Sequence, residues 1–241
     1  MKGKYFQWNG LKFDVSDTDV YPPKPASLLL AKNAIKVVKH GNIVLDACTG
    51  CGVVATAVEK FIPESKVFAS DINPAALAVA KKNFRLNKVK IGLILSDLYK
   101  EFENNKFDVI IVHPPAVPYF NKMSWKMPKG MKIATYGGRD GSLLVIKSII
   151  GAKRCLKKDG ILLLLLPHWC NTKKVLNVLK NNYRKVSELA NKKVKFFPAI
   201  DYDVDPKSLD YIDKLSKNGV IEISFKNNKP YSTVSVIQAI K

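Results

Sequence analysis

Three aspartates close three successive apolar runs in this chain. Asp46 lies in NIVLDA (42–47), Asp71 ends KVFASD (66–71) and Asp97 ends IGLILSD (91–97). VLDACTGCGVVA (44–55) follows the first run and contains G-x-G-x-x-A at Gly50, Gly52 and Ala55. Glycines there let the backbone approach a ligand closely, a device that dinucleotide-binding chains share. The acids separate the two cases. A loop built for a pyrophosphate gains little from a carboxylate four residues before its first glycine, whereas a ligand carrying an ammonium does. The second acid is placed to bond both ribose hydroxyls, and the third to accept from an adenine amino group. The set suits S-adenosylmethionine, a sulfonium with an amino-acid tail and no phosphate for the acids to repel. Thr49 in the loop belongs to the same expected set. Ile72 and Leu98, each following one of the acids, would pack on the adenine faces.

A second constellation is VHPPAVPY (112–119), where two prolines stop the apolar run FDVIIV. Pro114 and Pro115 rigidify the turn and leave the carbonyl of His113 or Pro114 free to accept from a substrate N–H. An imidazole near neutral pKa can take a proton from a hydroxyl, amine or ring nitrogen during a group transfer. His113 is therefore expected at the reacting centre, against the cofactor, as a base or an orienting group. The same residues also fit a histidine that merely fills the corner, or a site that has lost its activity. Tyr21, Ala116, Tyr119 and His168 are the expected acceptor-side contacts, with a structural capping role equally open to His168. His168 follows the apolar run ILLLLLP (161–167), and Trp169 comes next.

The elements that must position these residues alternate. KYFQW-NG-LKFDV reads as a β-hairpin, because Asn and Gly tolerate the positive φ of a type I′ turn. A proline-rich connector and a helix from LLLAKNAIKVVKH come next. Five strands then alternate with helices: NIVLDA, KVFASD, IGLILSD, FDVIIV and ILLLLLP. They are apolar on both faces, as parallel strands covered by helices on two sides must be. The pattern predicts a doubly wound α/β sheet. GSLLVIKSIIGAKRCLKKDG reads as a helix ending at its glycine and TKKVLNVLKNNY as another. VKFFPAI is a candidate strand. A helix is expected from Pro206, capped by Asp205. VIEISF and YSTVSVIQAI read as an antiparallel hairpin on the sheet edge.

The chain has 241 residues, 47% hydrophobic, and a net charge of +20 from 40 basic and 20 acidic residues. That is enough chain for one sizeable core. No apolar run is long enough to span a bilayer, and the first residues lack the apolar core of a signal peptide, so a cytoplasmic location is expected. Cys48 and Cys51 form a C-x-x-C, read as small side chains rather than a metal or redox pair, since nothing nearby completes a zinc set. The acids Asp201, Asp203 and Asp205 lack the glycine and distal glutamate of a calcium loop, so no metal is expected. The lysine excess would attract RNA or an acidic partner, or be a solvated face with no partner. The segment 121–140 reads as a loop, either a lid over the acceptor or an adaptable surface, with Arg139 and Asp140 fixing it near the cleft.

Together these motifs resemble class I S-adenosylmethionine-dependent methyltransferases, most closely the HemK-like family that methylates a glutamine amide of translation release factors. The likeness runs from about residue 6 to residue 166. FQWNGLKFDV is similar to the family's hairpin, PKPASLLL to its Pro-Arg-Pro segment, and FDVIIVHPPAVP to the segment carrying Asn-Pro-Pro-Tyr. GGRDGSLLVIKSIIGAKRCLKKDGILLLLL resembles its Gly-Gly-x-Asp-Gly helix and strand. The resemblance implies a Rossmann-like seven-stranded methyltransferase sheet with an N-terminal β-hairpin. It also implies one compact unit, with 1–25 as hairpin and connector and 26–241 as the methyltransferase domain. The hairpin begins close to Met1, so the separate helical N-terminal domain of the bacterial release-factor enzymes is not expected. In the family, the motif's Asn side chain and first proline carbonyl hold the planar acceptor, and its Tyr packs on it. Here His113 and Ala116 replace both, and an imidazole lacks the paired donor and acceptor of an amide. The expected activity is methyl transfer from S-adenosylmethionine to a heteroatom, foremost nitrogen, of a protein side chain or small molecule. The alternatives are an RNA base as acceptor, or a catalytically idle fold that binds RNA or an acidic partner.

Overall fold

Four of the five apolar runs become interior strands of the sheet, and the other, IGLILSD, becomes an edge strand. The structure is a computed structural model that describes residues 4–119, 127–196, 206–227 and 229–241. A short hairpin, β1 (Tyr5–Trp8) and β2 (Leu11–Asp14), leads into α1 (Pro25–Val37). There follow β3 (Ile43–Ala47), α2 (Val53–Phe61), β4 (Lys66–Asp71), α3 (Pro74–Leu86), β5 (Gly92–Leu95) and β6 (Phe107–Val112). The chain continues through α4 (Lys129–Ile133), α5 (Leu143–Cys155), β7 (Leu156–Pro167), α6 (Thr172–Asn182) and β8 (Lys185–Lys195). It closes with α7 (Pro206–Lys217), β9 (Ser224–Lys226) and β10 (Lys229–Ile240).

The main sheet has the order β5-β4-β3-β6-β7-β10-β8, with β9 added on β10. The strands from β5 to β7 are parallel, whereas β10 runs antiparallel to both its neighbours. Seven strands form this path, as the family resemblance implied. One apolar core includes residues of α1, α2 and α3, the other residues of α5 and α6, so the sheet is doubly wound. From β3 the chain first builds outward to β4 and β5, then returns to place β6 on the other side of β3. This reversal opens a crevice beyond the carboxyl ends of β3 and β6, where such sheets bind ligands.

Two expectations need correction. The last two strands do form a hairpin, with Asn227 at φ 51° in its turn, but it is not on the edge. β10 inserts between β7 and β8, pairing Val234 with Pro167 on one side and with Lys192 on the other. The edge is β8, KVSELANKKVK, whose alternation is obscured because only Val194 is buried. The helix expected to reach Gly160 ends at Cys155. Leu156 already pairs with Phe107 in β7, and Asp159 turns the chain at φ 59°. Residues 197–205 lie outside the described ones, and with them most of VKFFPAI, the cluster Asp201, Asp203 and Asp205, and the cap of α7.

The N-terminal hairpin turns at Asn9 (φ 50°) and Gly10 (φ 76°), as its Asn-Gly pair predicts. It is fastened to α3 by two asparagines one helical turn apart. Asn83 Oδ1 accepts from Asp14 N at 2.7 Å, and Asn87 Oδ1 from Lys12 N at 2.9 Å. Lys82 pairs with Asp14 and, with Ser16, holds that carboxyl down at about 2.

Candidate active site

The loop between β3 and α2 reverses tightly through left-handed residues: Cys48 (φ 57°), Gly50 (φ 54°) and Gly52 (φ 83°). The two glycines serve different ends. A Cβ on Gly52 would stand 2.6 Å from the Phe84 ring, so this glycine lets α3 pack against the loop. A Cβ on Gly50, which lines the crevice, would make only an ordinary contact with the Tyr21 carbonyl at 3.8 Å, so its requirement is conformational. Asn83 Nδ2 also donates to Cys51 O at 2.9 Å, so one buried amide ties the hairpin, α3 and this loop together.

Asp46, on β3, is 2% exposed. Its Oδ2 accepts from Thr49 Oγ1 at 2.6 Å and from Ala55 N at 3.1 Å. Burial, with the charge of Asp71 adding to it, pushes its pKa up to about 7. Asp71 accepts Gly50 N on one oxygen and Asn73 N on the other, both at 2.9 Å, and burial raises its pKa too. Each oxygen has a second lone pair for a ribose hydroxyl. Asp97 lies two residues beyond β5, at the open rim, where Lys100 Nζ sits 2.6 Å from its Oδ2. Ile72 and Leu98 flank the same crevice, and Ile72 is 52% exposed.

The second constellation opens into the same crevice. Val112 pairs with Ala47 at the end of β6, which brings His113 beside the loop that follows β3. Asp46, Thr49, Gly50, Asp71, Ile72, Asp97, Leu98, His113, Pro114, Pro115, Ala116 and Tyr21 all line one cleft. Its described lining contains no lysine or arginine, although the chain carries 40 of them. A cleft lined by three carboxylates, of which only Asp97 at the rim is paired with a lysine, fits a positively charged ligand better than a phosphorylated one. His113 is half-buried, and desolvation drops its pKa to about 4, so the imidazole is neutral at physiological pH. The Tyr21 ring meets it edge-on, with centroids 6.0 Å apart.

Two expected acceptor contacts lie elsewhere. Both ring nitrogens of His168 have local partners at 2.9 Å: Nδ1 bonds Glu222 Oε2 and Nε2 bonds Ser235 Oγ. The residue clamps the strand ends outside the cleft, while its neighbours Pro167 and Trp169 line it. Tyr119 stacks on Tyr136, centroids 4.0 Å apart, and is not part of the lining. The aromatic surface beside His113 comes instead from Tyr21. Asp140 fixes its loop by accepting from Ser142 Oγ at 2.6 Å and Asn171 Nδ2 at 3.1 Å.

Residues that the motifs did not signal are Ser27, Ser96 and Leu144, together with Gly130 and Ile133–Thr135 in and after α4. Of the segment 121–140, residues 121–126 lie outside the described ones. Gly130 N donates to Asp19 Oδ1 at 2.6 Å, and a Cβ there would collide with the Asp19 carbonyl. That close approach seats α4 over the cleft mouth. Its signal in the sequence is one glycine among lysines, which carries no periodicity.

A doubly wound sheet with an acid-lined, phosphate-averse cleft at its switch point defines the class of protein: a Rossmann-like enzyme that binds S-adenosylmethionine. Comparison with known proteins bears on the family. Residues 23–124 match the model of the methyltransferase small domain. A Methanocaldococcus jannaschii protein assigned as a protein N5-glutamine methyltransferase is 34% identical over 178 residues, covering 74% of this chain and 87% of that one. The ribosomal protein uL3 glutamine methyltransferase of Francisella tularensis is 28% identical over 161 residues, covering 64% of this chain. The chain spans about half of that relative's length (51%). Among solved structures, an E. cuniculi complex responsible for methylating the termination factor eRF1 superposes with a TM-score of 0.61. It does so at 20% identity, over 92% of this chain and 99% of that one, which shows the shared fold. The chain belongs to the HemK-like family of S-adenosylmethionine-dependent methyltransferases.

The residues present fit that methyl donor. The second oxygen of Asp46 would take the ammonium of its amino-acid tail, Asp71 the ribose and Asp97 the adenine edge, and Ile72 and Leu98 would pack on the ring. The donor supplies an activated methyl group, and the chain supplies position. No helix among the described residues is long and apolar enough to cross a membrane.

Proposed function

We propose that this enzyme methylates the side-chain amide nitrogen of a glutamine in a cytoplasmic protein acceptor, with His113, Pro114 and Pro115 holding the amide. The observation that carries the reading is the neutral His113 beside the proline turn, in the cleft that the acids also line. One imidazole nitrogen can accept one amide N–H. The proline turn has lost two backbone donors, which leaves its carbonyls to accept the other. Tyr21 supplies a flat wall in place of the family's tyrosine.

The pKa favours an amide over an amine. In-line displacement forms the N–C bond as the C–S bond breaks, and leaves a cationic nitrogen. A methylated amide nitrogen in that state is a strong acid, so a base of pKa about 4 takes its proton. The ammonium of a lysine is far too weak an acid for the same group. His113 thus orients the amide in the ground state and receives the proton late. The glutamine methyltransferases among the relatives support this reading. An RNA base as acceptor has less support, because no lysine or arginine lines the described cleft to meet a phosphate.

The test is methyl transfer from labelled donor to ribosomal proteins and termination factors of the source organism, with the product peptide mapped by mass spectrometry. The expected product is N5-methylglutamine. His113→Ala is expected to lower kcat by ~100-fold while donor affinity stays within about twofold. His113→Asn, which restores an amide acceptor, should recover most of the lost rate. Label on lysine, or collapse of donor binding in the alanine variant, would overturn the assignment.

A further inference from the structure

The most concentrated unpaired charge lies beside the cleft, not in it. β8, β10 and β9 are adjacent strands, and their register fixes which side chains share a face. Tyr231 of β10 is flanked by Lys195 of β8 and Ser224 of β9, Thr233 pairs with Lys193, and Lys229 stands opposite Lys226. Directly opposed residues project from the same side of a sheet. Lys193, Lys195, Lys226 and Lys229 therefore form one exposed basic surface with Tyr231 between them. None of the four pairs with an acid among the described residues. Glu222, which Thr233 Oγ1 reaches from this face, is also held by His168 Nδ1.

This arrangement works against stability. Lys226 and Lys229 are direct cross-strand partners, and like charges placed opposite one another destabilise a hairpin. Protection of an open edge asks for lysine on β8, but not for a second pair across β9 and β10. The surface also adjoins the acceptor side of the cleft: His168 N donates to Thr233 O at 2.8 Å, and the residues on either side of His168, Pro167 and Trp169, line the cleft wall.

We propose that this three-strand face binds single-stranded RNA, with the four lysines on phosphates and Tyr231 as a stacking platform for a base. Lysines two apart on a strand lie ~6.6 Å apart and neighbouring strands ~4.8 Å, a spacing that lets a flexible strand meet several charges at once. Aromatic side chains among cations are the usual means of holding unpaired bases. The choice of RNA rests on the reading of a protein acceptor. An acceptor held in a ribonucleoprotein brings RNA to the side of the cleft where its glutamine enters. The surface itself makes no use of the methyl donor, so binding is measurable whether or not that reading stands.

Fluorescence anisotropy with a labelled mixed-sequence 16-nucleotide RNA tests it directly. The variant K193Q/K195Q/K226Q/K229Q is expected to bind at least tenfold more weakly at 0.1 M salt. Its log–log salt slope should be shallower by about 3, as four lost phosphate contacts on a single strand imply. A control of equal charge, K60Q/K81Q/R85Q/K90Q, alters α2, α3 and the segment before β5 at the far end of the sheet. It should change affinity less than threefold. Tyr231→Ala should weaken binding without changing the slope. Donor binding and thermal melting confirm that each variant is folded. Equal losses in both charge variants would show a general polyanion effect and overturn the proposal, as would no loss in either. Poly-glutamate competing as well as RNA would assign the surface to an acidic protein instead, and DNA binding as tightly would remove the case for RNA.

Discussion

At the scale of single residues, folding moves the titration of Asp46 close to the working pH. Its unfolded carboxyl titrates near 3.8, and burial raises the folded value to about 7. Between these values the folded, donor-free protein keeps a proton that the unfolded chain has lost. This contribution to stability is therefore largest at low pH and falls as pH rises through that window. An ammonium binding the carboxylate reverses the preference and expels the proton. Calorimetry in buffers of different ionisation enthalpy should show release approaching one proton per donor bound near pH 6, fading above pH 8. Asp46→Asn should abolish the release, and an unchanged proton count in that variant would exclude the assignment. The residue types of this site were legible because each acid follows an apolar run whose end must lie at the carboxyl edge of the sheet. For His168 the same logic left a cleft role and a capping role open, and its local partners favour the cap. It also ends a strand, but its partner Glu222 comes 54 residues later, a pairing that local pattern does not carry.

At the scale of elements, the cleft is only as fixed as the loop after β3, and that loop is held from outside by Asn83. This side chain is fully buried and bonds Asp14 N and Cys51 O. Asn83→Ala would strand buried polar groups in two elements at once, and should cost about 2–3 kcal/mol of unfolding free energy. Denaturant melts check the stability, and donor affinity should fall with it although the residue does not line the cleft. Asn83→Asp keeps the acceptor for Asp14 N but loses the donor to Cys51 O. It also buries an unpaired carboxylate against that carbonyl, and should restore neither stability nor affinity at neutral pH. A melt shifted by under about 0.5 kcal/mol in the alanine variant would mean that the hairpin is not coupled to the loop. β3, β4, β6 and β7 announced themselves because they lie inside the sheet, whereas β8 did not. An exposed edge strand rich in lysine shows neither an apolar run nor a clean alternation. Strand order across β7, β10 and β8 depends on pairings more than 35 residues apart, which no window of sequence contains.

At the scale of the whole molecule, a chain of net charge +20 encloses an acid-lined cleft without a described lysine or arginine in its lining. The far field repels a cationic donor, and the near field attracts it. Salt screens exposed charges over ~8–10 Å but reaches buried pairs much less. Raising salt from 20 to 200 mM should therefore strengthen donor binding modestly, by up to about threefold. The demethylated product has lost the sulfonium charge and should respond less. Titrations of both ligands across that range check the prediction, and donor affinity that weakens with salt would contradict it.

β10 carries a last consequence. Both strands that flank it precede it in the chain, and neither can complete its ladder until it arrives. A nascent or refolding molecule therefore holds two open strand edges apart and must thread the late strand between them. Such non-local closure makes folding slow and leaves the intermediate prone to self-association. Chaperone demand and recombinant yield should thus depend on this insertion more than on anything at the catalytic end.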